Sequence, residues 1–312
     1  MQDKVSIVMP LYNAEKYVDK TIDCMLNQTY KNIELIIVDD ASTDSSLEIV
    51  LKKRDSRIKL LRNEYNRGIS FSRNRAIKEA SGVYIAIMDD DDLAPLDRIE
   101  KEVEFLDKNP GVHIVLGHMV EIDEDDNPCS HIMYSYLNPK YLRARQLFHN
   151  CIPNGSTLIR KEFIDSNNLK YKEQMFGAED YRFWVECLVK GAKFATLDEV
   201  LLYHRIHGHN ASILATKYNT EERERVIREI KRTALAESGF SLSDKHYSII
   251  FNMFKEYNVY MKDVQEIELL YEAFRSITSQ AYEMNMDNAK EIEIACRKCF
   301  GEKIGNAFFL WE

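Results

Sequence analysis

The sequence has 312 residues, a hydrophobic fraction of 45% and a formal net charge of -9 at pH 7. This length and composition allow a substantial buried core, which excludes disordered and fibrous classes. The acidic balance argues against nucleic-acid binding, because affinity for a phosphate backbone comes from clustered Lys and Arg.

The hydropathy pattern predicts no membrane span, since no run approaches the ~20 consecutive apolar residues that one requires. Residues 1–5 also lack the apolar core of a signal peptide. Six cysteines are scattered along the chain and indicate no disulfide framework. Together these features predict a cytoplasmic protein.

The first hundred residues alternate between two hydrophobic patterns. Short apolar runs rich in β-branched residues predict buried strands at 5–9, 33–38, 58–61 and 83–88. Apolar stripes with helical spacing lie between these runs, and Gly82 is expected to close the third helix. Such a series predicts an α/β fold with a mostly parallel, Rossmann-like sheet flanked by helices.

The rest of the chain continues less regularly. A helix is predicted around residues 96–106, a strand at 113–116, a helix around 181–188 and a strand at 200–203. Residues 118–175 have no readable pattern. From about residue 217 the chain is charged with helical periodicity, which predicts a C-terminal helical region.

Three predicted strands end in unusual polar residues. Residues 9–13 follow the first strand, Asp39 and Asp40 close the second, and four consecutive aspartates at 89–92 follow the fourth. Because ligands of parallel sheets bind beyond the carboxyl ends of the strands, these segments are expected to meet at one edge.

The four aspartates predict a divalent metal site. Adjacent carboxylates raise one another's pKa unless a cation lies between them, and carboxylate oxygens are the ligands that Mg²⁺ and Mn²⁺ prefer. A solvated acidic turn is the alternative interpretation. Since the chain contains no GxxxxGK[ST] or GxGxxG loop, a phosphate ligand would have to be held through the metal.

Six motifs in this order resemble glycosyltransferase family 2. They are residues 5–13 (VSIVMPLYN), 38–44 (VDDASTD), 66–68 (NRG), 72–74 (SRN), 88–92 (MDDDD) and 177–180 (GAED). The resemblance implies a GT-A fold and an inverting transferase that uses a nucleotide-diphosphate sugar, most often a uridine diphosphate sugar. The acceptor implied is a saccharide or a lipid-linked saccharide, as in bacterial polysaccharide, O-antigen and capsule synthesis.

The resemblance also implies roles for residues of the donor site. Tyr12 would stack on the base, and Asp40 would accept a hydrogen bond from its ring N–H; a stacked aromatic contributes about 1–3 kcal/mol per base. Asp90 would bind the ribose of the donor, and Arg73 would also contact the donor. Other residues assigned to this site are Pro10, Asn13, Asn66 and Asp89.

Metal and catalytic roles follow from the same resemblance. Asp91 would hold Mn²⁺ or Mg²⁺, with His207 as a further ligand and Arg205 as a clamp on the diphosphate. Asp180, beside Glu179, matches the position of the family's general base. Because both carboxylates lie at the start of a predicted helix, the helix dipole is expected to favour their ionised forms.

The predicted organisation has two regions. Residues 1–216 form the transferase domain, with a nucleotide-sugar-binding half at 1–95 and an acceptor half at 96–216, and residues 217–312 form a helical appendage. The appendage could pack on the transferase domain, form a homo-oligomer or touch the inner face of a membrane, to which the apolar residues 308–311 would contribute. A nucleotidyltransferase and a non-catalytic nucleotide-sugar-binding protein remain alternatives.

Overall fold

The structure of the chain is a computed structural model that describes residues 2–208, 210–218, 220–252 and 263–304. Residues 308–311, which entered the expectation of a membrane or partner contact, lie outside the described residues. Within the described residues, no helix has both the length and the apolar character needed to cross a membrane.

A mixed sheet of seven strands forms the centre of the described chain, in the order β3-β2-β1-β4-β6-β5-β7. Its strands are β1 (Val5–Leu11), β2 (Ile33–Asp39), β3 (Ile58–Arg62), β4 (Tyr84–Ile87), β5 (Ile114–Ile122), β6 (Thr157–Arg160) and β7 (Phe194–Arg205). Strands β1 to β4 are mutually parallel, β5 is parallel to β7, and β6 is antiparallel to both of its neighbours. The predicted α/β fold with a mostly parallel sheet is confirmed.

Helices cover both faces of the sheet and make up the C-terminal region. They are α1 (Val18–Leu26), α2 (Ser46–Lys52), α3 (Ile69–Glu79), α4 (Arg98–Lys108), α5 (Pro139–Gln146), α6 (Lys161–Ser166), α7 (Glu179–Val189), α8 (Ala211–Tyr218), α9 (Thr220–Glu237), α10 (Asp244–Asn252), α11 (Val264–Glu283) and α12 (Ala289–Ile304). The start of α5 shows why such boundaries form, because the Asn138 side chain accepts hydrogen bonds from the first amides and Pro139 begins the helix.

Three hydrophobic cores follow from this arrangement. One lies between the sheet and the helices α1 and α4, and a second lies on the opposite face, against α3, α6 and α7. The third is built by α9 to α12 together with residues of α5 and α7. The C-terminal helices therefore pack on the rest of the same chain and share a core with it.

The segment at 118–175, which has no readable sequence pattern, is more ordered than expected. It contains the end of β5, helix α5, strand β6 and helix α6, and the strand predicted at 113–116 extends to Ile122. Strand β6 has four residues, TLIR, of which only two are apolar, so no continuous apolar run marks it. Its antiparallel pairing with β4 and β5 places it inside the sheet.

Candidate active site

The segments that follow β1, β2 and β4 meet at one edge of the sheet, as predicted. The Tyr12 amide donates to Asp90 Oδ2 at 2.9 Å, and the Asp40 amide donates to the carbonyl of Leu11 at 2.8 Å. Asn13 lies in the left-handed region with φ 51°, which lets the chain turn sharply after β1. This turn leaves Tyr12 with 47% of its surface exposed.

The Asn13 side chain supports the same turn from the other side. Its Oδ1 accepts a hydrogen bond from the Thr43 amide at 2.8 Å, and the Asn13 amide donates to Ser42 Oγ at 3.1 Å. Pro10, by contrast, is buried within β1. Asn13 therefore joins the segments after β1 and β2, whereas Pro10 belongs to the strand that carries Tyr12.

Asp40 organises the loop that contains Asn66. Its Oδ1 accepts from Asn63 Nδ2 at 2.6 Å and from the Arg67 amide at 2.9 Å, and its Oδ2 accepts from the Gly68 amide at 2.7 Å. Asn66 Oδ1 accepts from the same Gly68 amide at 3.1 Å. Gly68 has φ 84°, a conformation that favours glycine. The buried carboxylate thus fixes the shape of this loop beside the Tyr12 turn.

Helices α1 and α4 hold the acidic run in place through its backbone. Thr21 Oγ1, on α1, donates to the carbonyl of Asp92 at 2.9 Å. Arg98, which is fully buried on α4, donates from Nη2 to the carbonyls of Ile87 and Thr157, each at 3.2 Å. The four aspartates therefore follow β4 on a backbone that is anchored from both sides.

Of the four aspartates, Asp92 is buried and the other three, including Asp90, are partly buried. Asp90 receives the Tyr12 amide, and its burial and the neighbouring Asp91 raise its pKa well above the usual value. Burial also raises the pKa of Asp92 to about 6, against the lowering effect of His204. Asp92 accepts from the Arg205 amide at 2.8 Å and lies 3.1 Å from His204 Nδ1. Burial alone would lower the pKa of His204, but the Asp92 carboxylate raises it to about 9.

Asp91 and His207 come together as predicted for metal ligands. His207 Nε2 lies 2.8 Å from Asp91 Oδ2, and Asn210 Nδ2 lies 3.3 Å from the same oxygen. A carboxylate oxygen and an imidazole nitrogen are both ligands that Mn²⁺ accepts, and Mg²⁺ takes one or two carboxylates and completes its shell with water and phosphate. No group of three or more His, Cys, Asp or Glu suited to a metal occurs among the described residues. Asp91 and His207 are two side chains of the kinds that such a cation takes as ligands from protein.

Arg73 connects the acidic run to the helix that carries the predicted base. Its side chain is 1% exposed, its Nη2 lies 2.6 Å from Asp89 Oδ1, and its Nη1 lies 4.0 Å from Glu179 Oε1. The guanidinium also lies over the Tyr171 ring, 4.7 Å from its centroid. Asp89 and Glu179 together raise the pKa of Arg73 despite its burial. Arg73 thus faces protein carboxylates rather than open space.

Asp180 is the second residue of α7, and its carboxylate has a hydrogen-bond partner that the sequence did not indicate. Asn150 Nδ2 donates to Asp180 Oδ2 at 2.8 Å, and the Tyr181 amide donates to Oδ1 at 2.6 Å. Burial, together with the neighbouring Glu179, raises the pKa of Asp180 to about 6. The helix dipole was expected to favour the ionised form of Asp180, but desolvation raises its pKa. The carboxylate is still ionised at neutral pH.

Arg205 has a different environment from the one expected of a diphosphate clamp. It is 1% exposed, and it donates to the carbonyls of Asp91 and Asp123, both at 2.8 Å. Its Nη2 also lies 2.6 Å from Asp126 Oδ1. Through these three contacts the buried guanidinium braces the backbone of Asp91. In this structure Arg205 positions Asp91, and its role as a phosphate clamp stays a prediction.

Sequence reasoning missed several residues of this site, above all Asn150, Tyr171 and Asn210. Asn150 and Tyr171 lie in the segment without a readable pattern, so no sequence signal placed them near Asp180 or Arg73. Asn210 is part of a glycosylation sequon, and its distance of three residues from His207 was the available signal for its place beside Asp91.

The sequence of this chain is similar to those of known proteins. The profile described as Glycosyl transferase family 2 matches residues 6–166. The Escherichia coli protein named UDP-Glc:alpha-D-GlcNAc-diphosphoundecaprenol beta-1,3-glucosyltransferase WfaP is 31% identical over 215 residues, which cover 69% of this chain and 81% of that protein.

Two solved structures share the fold. Staphylococcus aureus TarS 1–349 in complex with UDP-GlcNAc superposes with a TM-score of 0.65 and 20% identity, over 95% of this chain and 92% of that chain. The mannosyltransferase PcManGT from Pyrobaculum calidifontis, in complex with GDP-Man and Mn2+, gives a TM-score of 0.54 and 16% identity, over 95% and 86% of the two chains. With the profile match and the relative above, the chain belongs to glycosyltransferase family 2 and is a glycosyltransferase.

Proposed function

We propose that this glycosyltransferase is an inverting enzyme that moves a sugar from a uridine diphosphate sugar onto a hydroxyl of a saccharide or lipid-linked saccharide. The observation that carries the proposal is the link made by Arg73. This buried cation lies between Asp89 of the acidic run and Glu179, the neighbour of Asp180. The proposed donor site and the proposed base thereby belong to one cluster.

The donor nucleotide is proposed to bind at the turn after β1. Tyr12 has an exposed ring that can stack on a base. Asp40 Oδ2 accepts one hydrogen bond among the described residues and keeps capacity for the N3–H of uracil. The name of the WfaP relative contains a UDP-glucose donor, and the TarS structure contains UDP-GlcNAc, which supports a uridine nucleotide.

Asp91 and His207 are proposed to hold Mn²⁺ or Mg²⁺. The chemistry that a bound cation supplies here is stabilisation of the negative charge on the departing diphosphate. Asn210 and Arg205 keep Asp91 in position through its carboxylate and its carbonyl, respectively. The Mn2+ in the mannosyltransferase complex supports the choice of metal.

Asp180 is proposed to act as the general base. The bond between the anomeric carbon and the diphosphate oxygen breaks as the acceptor oxygen bonds to the opposite face of that carbon, and the acceptor proton passes to the Asp180 carboxylate. Asn150 and the Tyr181 amide orient this carboxylate. The WfaP relative is named for a diphosphoundecaprenol-linked acceptor, which supports a lipid-linked saccharide as one class of acceptor.

The test begins with a panel of nucleotide sugars, with Mn²⁺ or Mg²⁺, scored for release of nucleoside diphosphate in the presence of saccharide acceptors. With the donor identified, Asp180→Asn is expected to lower kcat by about 10²–10⁴-fold, the usual contribution of a general base. Donor binding, measured by calorimetry, should remain. The control is Asp165→Asn, which makes the same change at an exposed carboxylate of α6. Full turnover by Asp180→Asn would reject the assignment of the base.

A further inference from the structure

The loop that precedes Asp180 has an unusual backbone. Three of its residues, Gln174, Phe176 and Gly177, have positive φ values of 60°, 47° and 71°. Left-handed conformations at residues with a Cβ cost free energy and persist only where the surroundings enforce them. The Ala178 amide closes the loop by donating to the carbonyl of Met175 at 3.0 Å, and α7 begins at the next residue. The position of Asp180 therefore depends on what holds this loop.

A side chain of the C-terminal region supplies such a contact. Arg223, on α9, donates from Nη1 to the carbonyl of Phe176 at 2.7 Å and also to the carbonyl of Gly177. These carbonyls belong to two of the three residues with positive φ. A guanidinium suits this task because its charge strengthens both hydrogen bonds and its planar fork fixes their direction.

The same helix is attached to α7 at a second point. Arg182, two residues after Asp180, donates from Nη1 to Thr233 Oγ1 of α9 at 3.0 Å. Val226 of α9 and Ala178 and Tyr181 beside the base are buried in the same hydrophobic core. Helix α9 is thus a fixed support, and Arg223 is the point at which it reaches the loop.

We propose that Arg223 is a positioning residue for catalysis, which enforces the left-handed turn at 176–177 so that α7 begins with Asp180 directed at the acceptor. This inference rests on the proposed function of Asp180 as the base. It gives the C-terminal helices a part in the reaction, since one of their side chains determines the geometry of a group in the transferase domain.

The experiment compares Arg223→Ala with Arg225→Ala, which removes the same charge from an exposed position on the same helix. Arg223→Ala is expected to lower kcat by about 10- to 100-fold, the cost of misplacing a reacting group by about 1 Å, and to leave the donor KM unchanged. Arg225→Ala should have the same kcat and the same donor KM as the wild type. Arg223→Lys, which retains a cationic donor, should recover part of the loss.

Two further measurements separate positioning from general destabilisation. Hydrogen exchange of the peptide covering 173–180 should accelerate in Arg223→Ala and not in Arg225→Ala, while exchange in α11 and α12 stays unchanged. If Arg223→Ala does not fold, Arg223→Lys is compared with Arg225→Ala instead. In a double-mutant cycle, adding Arg223→Ala to Asp180→Asn should lower kcat no further, because the side chain acts through the base.

Each unfavourable outcome identifies a different error. Equal kcat values for Arg223→Ala and Arg225→Ala, or fully additive losses in the cycle, would overturn the positioning role while Asp180 remains the base. Full turnover by Asp180→Asn would instead remove the proposed function, and the exchange of the 173–180 peptide would still report on the contact made by Arg223.

Discussion

Asp180 combines partial burial with its proposed role as the general base, and this combination predicts a pH dependence. Its pKa is raised to about 6, first by burial and then by Glu179. A base must be ionised, so kcat should be constant above this pKa and fall about tenfold per pH unit below it. An ordinary exposed aspartate would place this acid limb near pH 4. The profile of kcat against pH checks the midpoint.

Glu179→Gln tests how much the Glu179 charge contributes to the raised pKa of Asp180. Removing the neighbouring negative charge should lower the pKa of Asp180 and move the acid limb of kcat to lower pH. Glu173→Gln removes the same charge from an exposed position in the preceding loop and should leave the limb in place. An unchanged limb in Glu179→Gln, or an equal shift in both variants, would show that the limb does not report Asp180.

The metal assignment has a test that does not depend on turnover. Asp91→Asn removes the charged oxygen of the proposed ligand beside His207. Loss of a residue that only supports a ligand weakens metal binding by about 10–100-fold. Calorimetry with Mn²⁺ and UDP should therefore show a larger loss of affinity for Asp91→Asn. Asp125→Asn, at an exposed acid of the turn after β5, is the control. Equal Mn²⁺-dependent binding by both variants would exclude Asp91 as a ligand.

The sequence could predict the site residues that directly follow strands, but it could not predict the contacts between distant side chains. Tyr12, Asp40 and Asp91 follow buried strands, and the rule that parallel strands end at one edge was sufficient to bring them together. Arg73 and Arg205 were recognised, but their partners were not. Their side chains reach residues far away in the chain, such as Glu179 and Asp126, and only the packed structure determines such distances.

At the scale of elements, Gly82 illustrates a residue predicted for the wrong reason. The sequence predicted that Gly82 closes α3, but Ala80 is the cap residue and Gly82 has no positive φ. A Cβ at Gly82 would lie 2.5 Å from the Lys4 carbonyl oxygen and 2.8 Å from the Ser6 amide nitrogen. The glycine is required because the backbone at the start of β1 passes so close to it.

Gly82→Ala should therefore destabilise the fold. Two backbone atoms would have to move, and overpacking of this kind costs about 1–3 kcal/mol. Gly111→Ala is the matched control, because an added Cβ there meets no heavy atom within 4 Å, and a change within about 0.5 kcal/mol is expected. Urea unfolding measures the stability of both variants. Equal midpoints would contradict the close approach of the backbone at Lys4 and Ser6 to Gly82.

Strand β6 marks the limit of prediction for elements. Parallel strands in the first half carry apolar runs that can be recognised one at a time. The four residues of β6 acquire their place only by pairing with β4 and β5, which are separated from them by long stretches of chain. Residues 96–216 were therefore harder to predict than residues 1–95, since their order depends on pairings between distant segments.

At the scale of the whole molecule, the shared third core predicts that the C-terminal helices and the transferase domain unfold together. Phe274 of α11 is fully buried, and its ring lies edge-on to Phe148, 5.6 Å away, just beyond α5. Phe274→Ala should cost about 3–5 kcal/mol. Val264→Ala, at a 65% exposed position of the same helix, should have little effect.

The fluorescence of Trp184 provides the decisive measurement. This residue is buried on the sheet-facing side of α7, within the second core, and Trp311→Phe makes it the only tryptophan. In that background, Phe274→Ala should shift the Trp184 transition and the circular-dichroism transition to the same lower urea concentration. A Trp184 transition that stayed at the parent midpoint while helical signal was lost earlier would mean that the C-terminal helices unfold independently of α7, which would contradict a shared cooperative core.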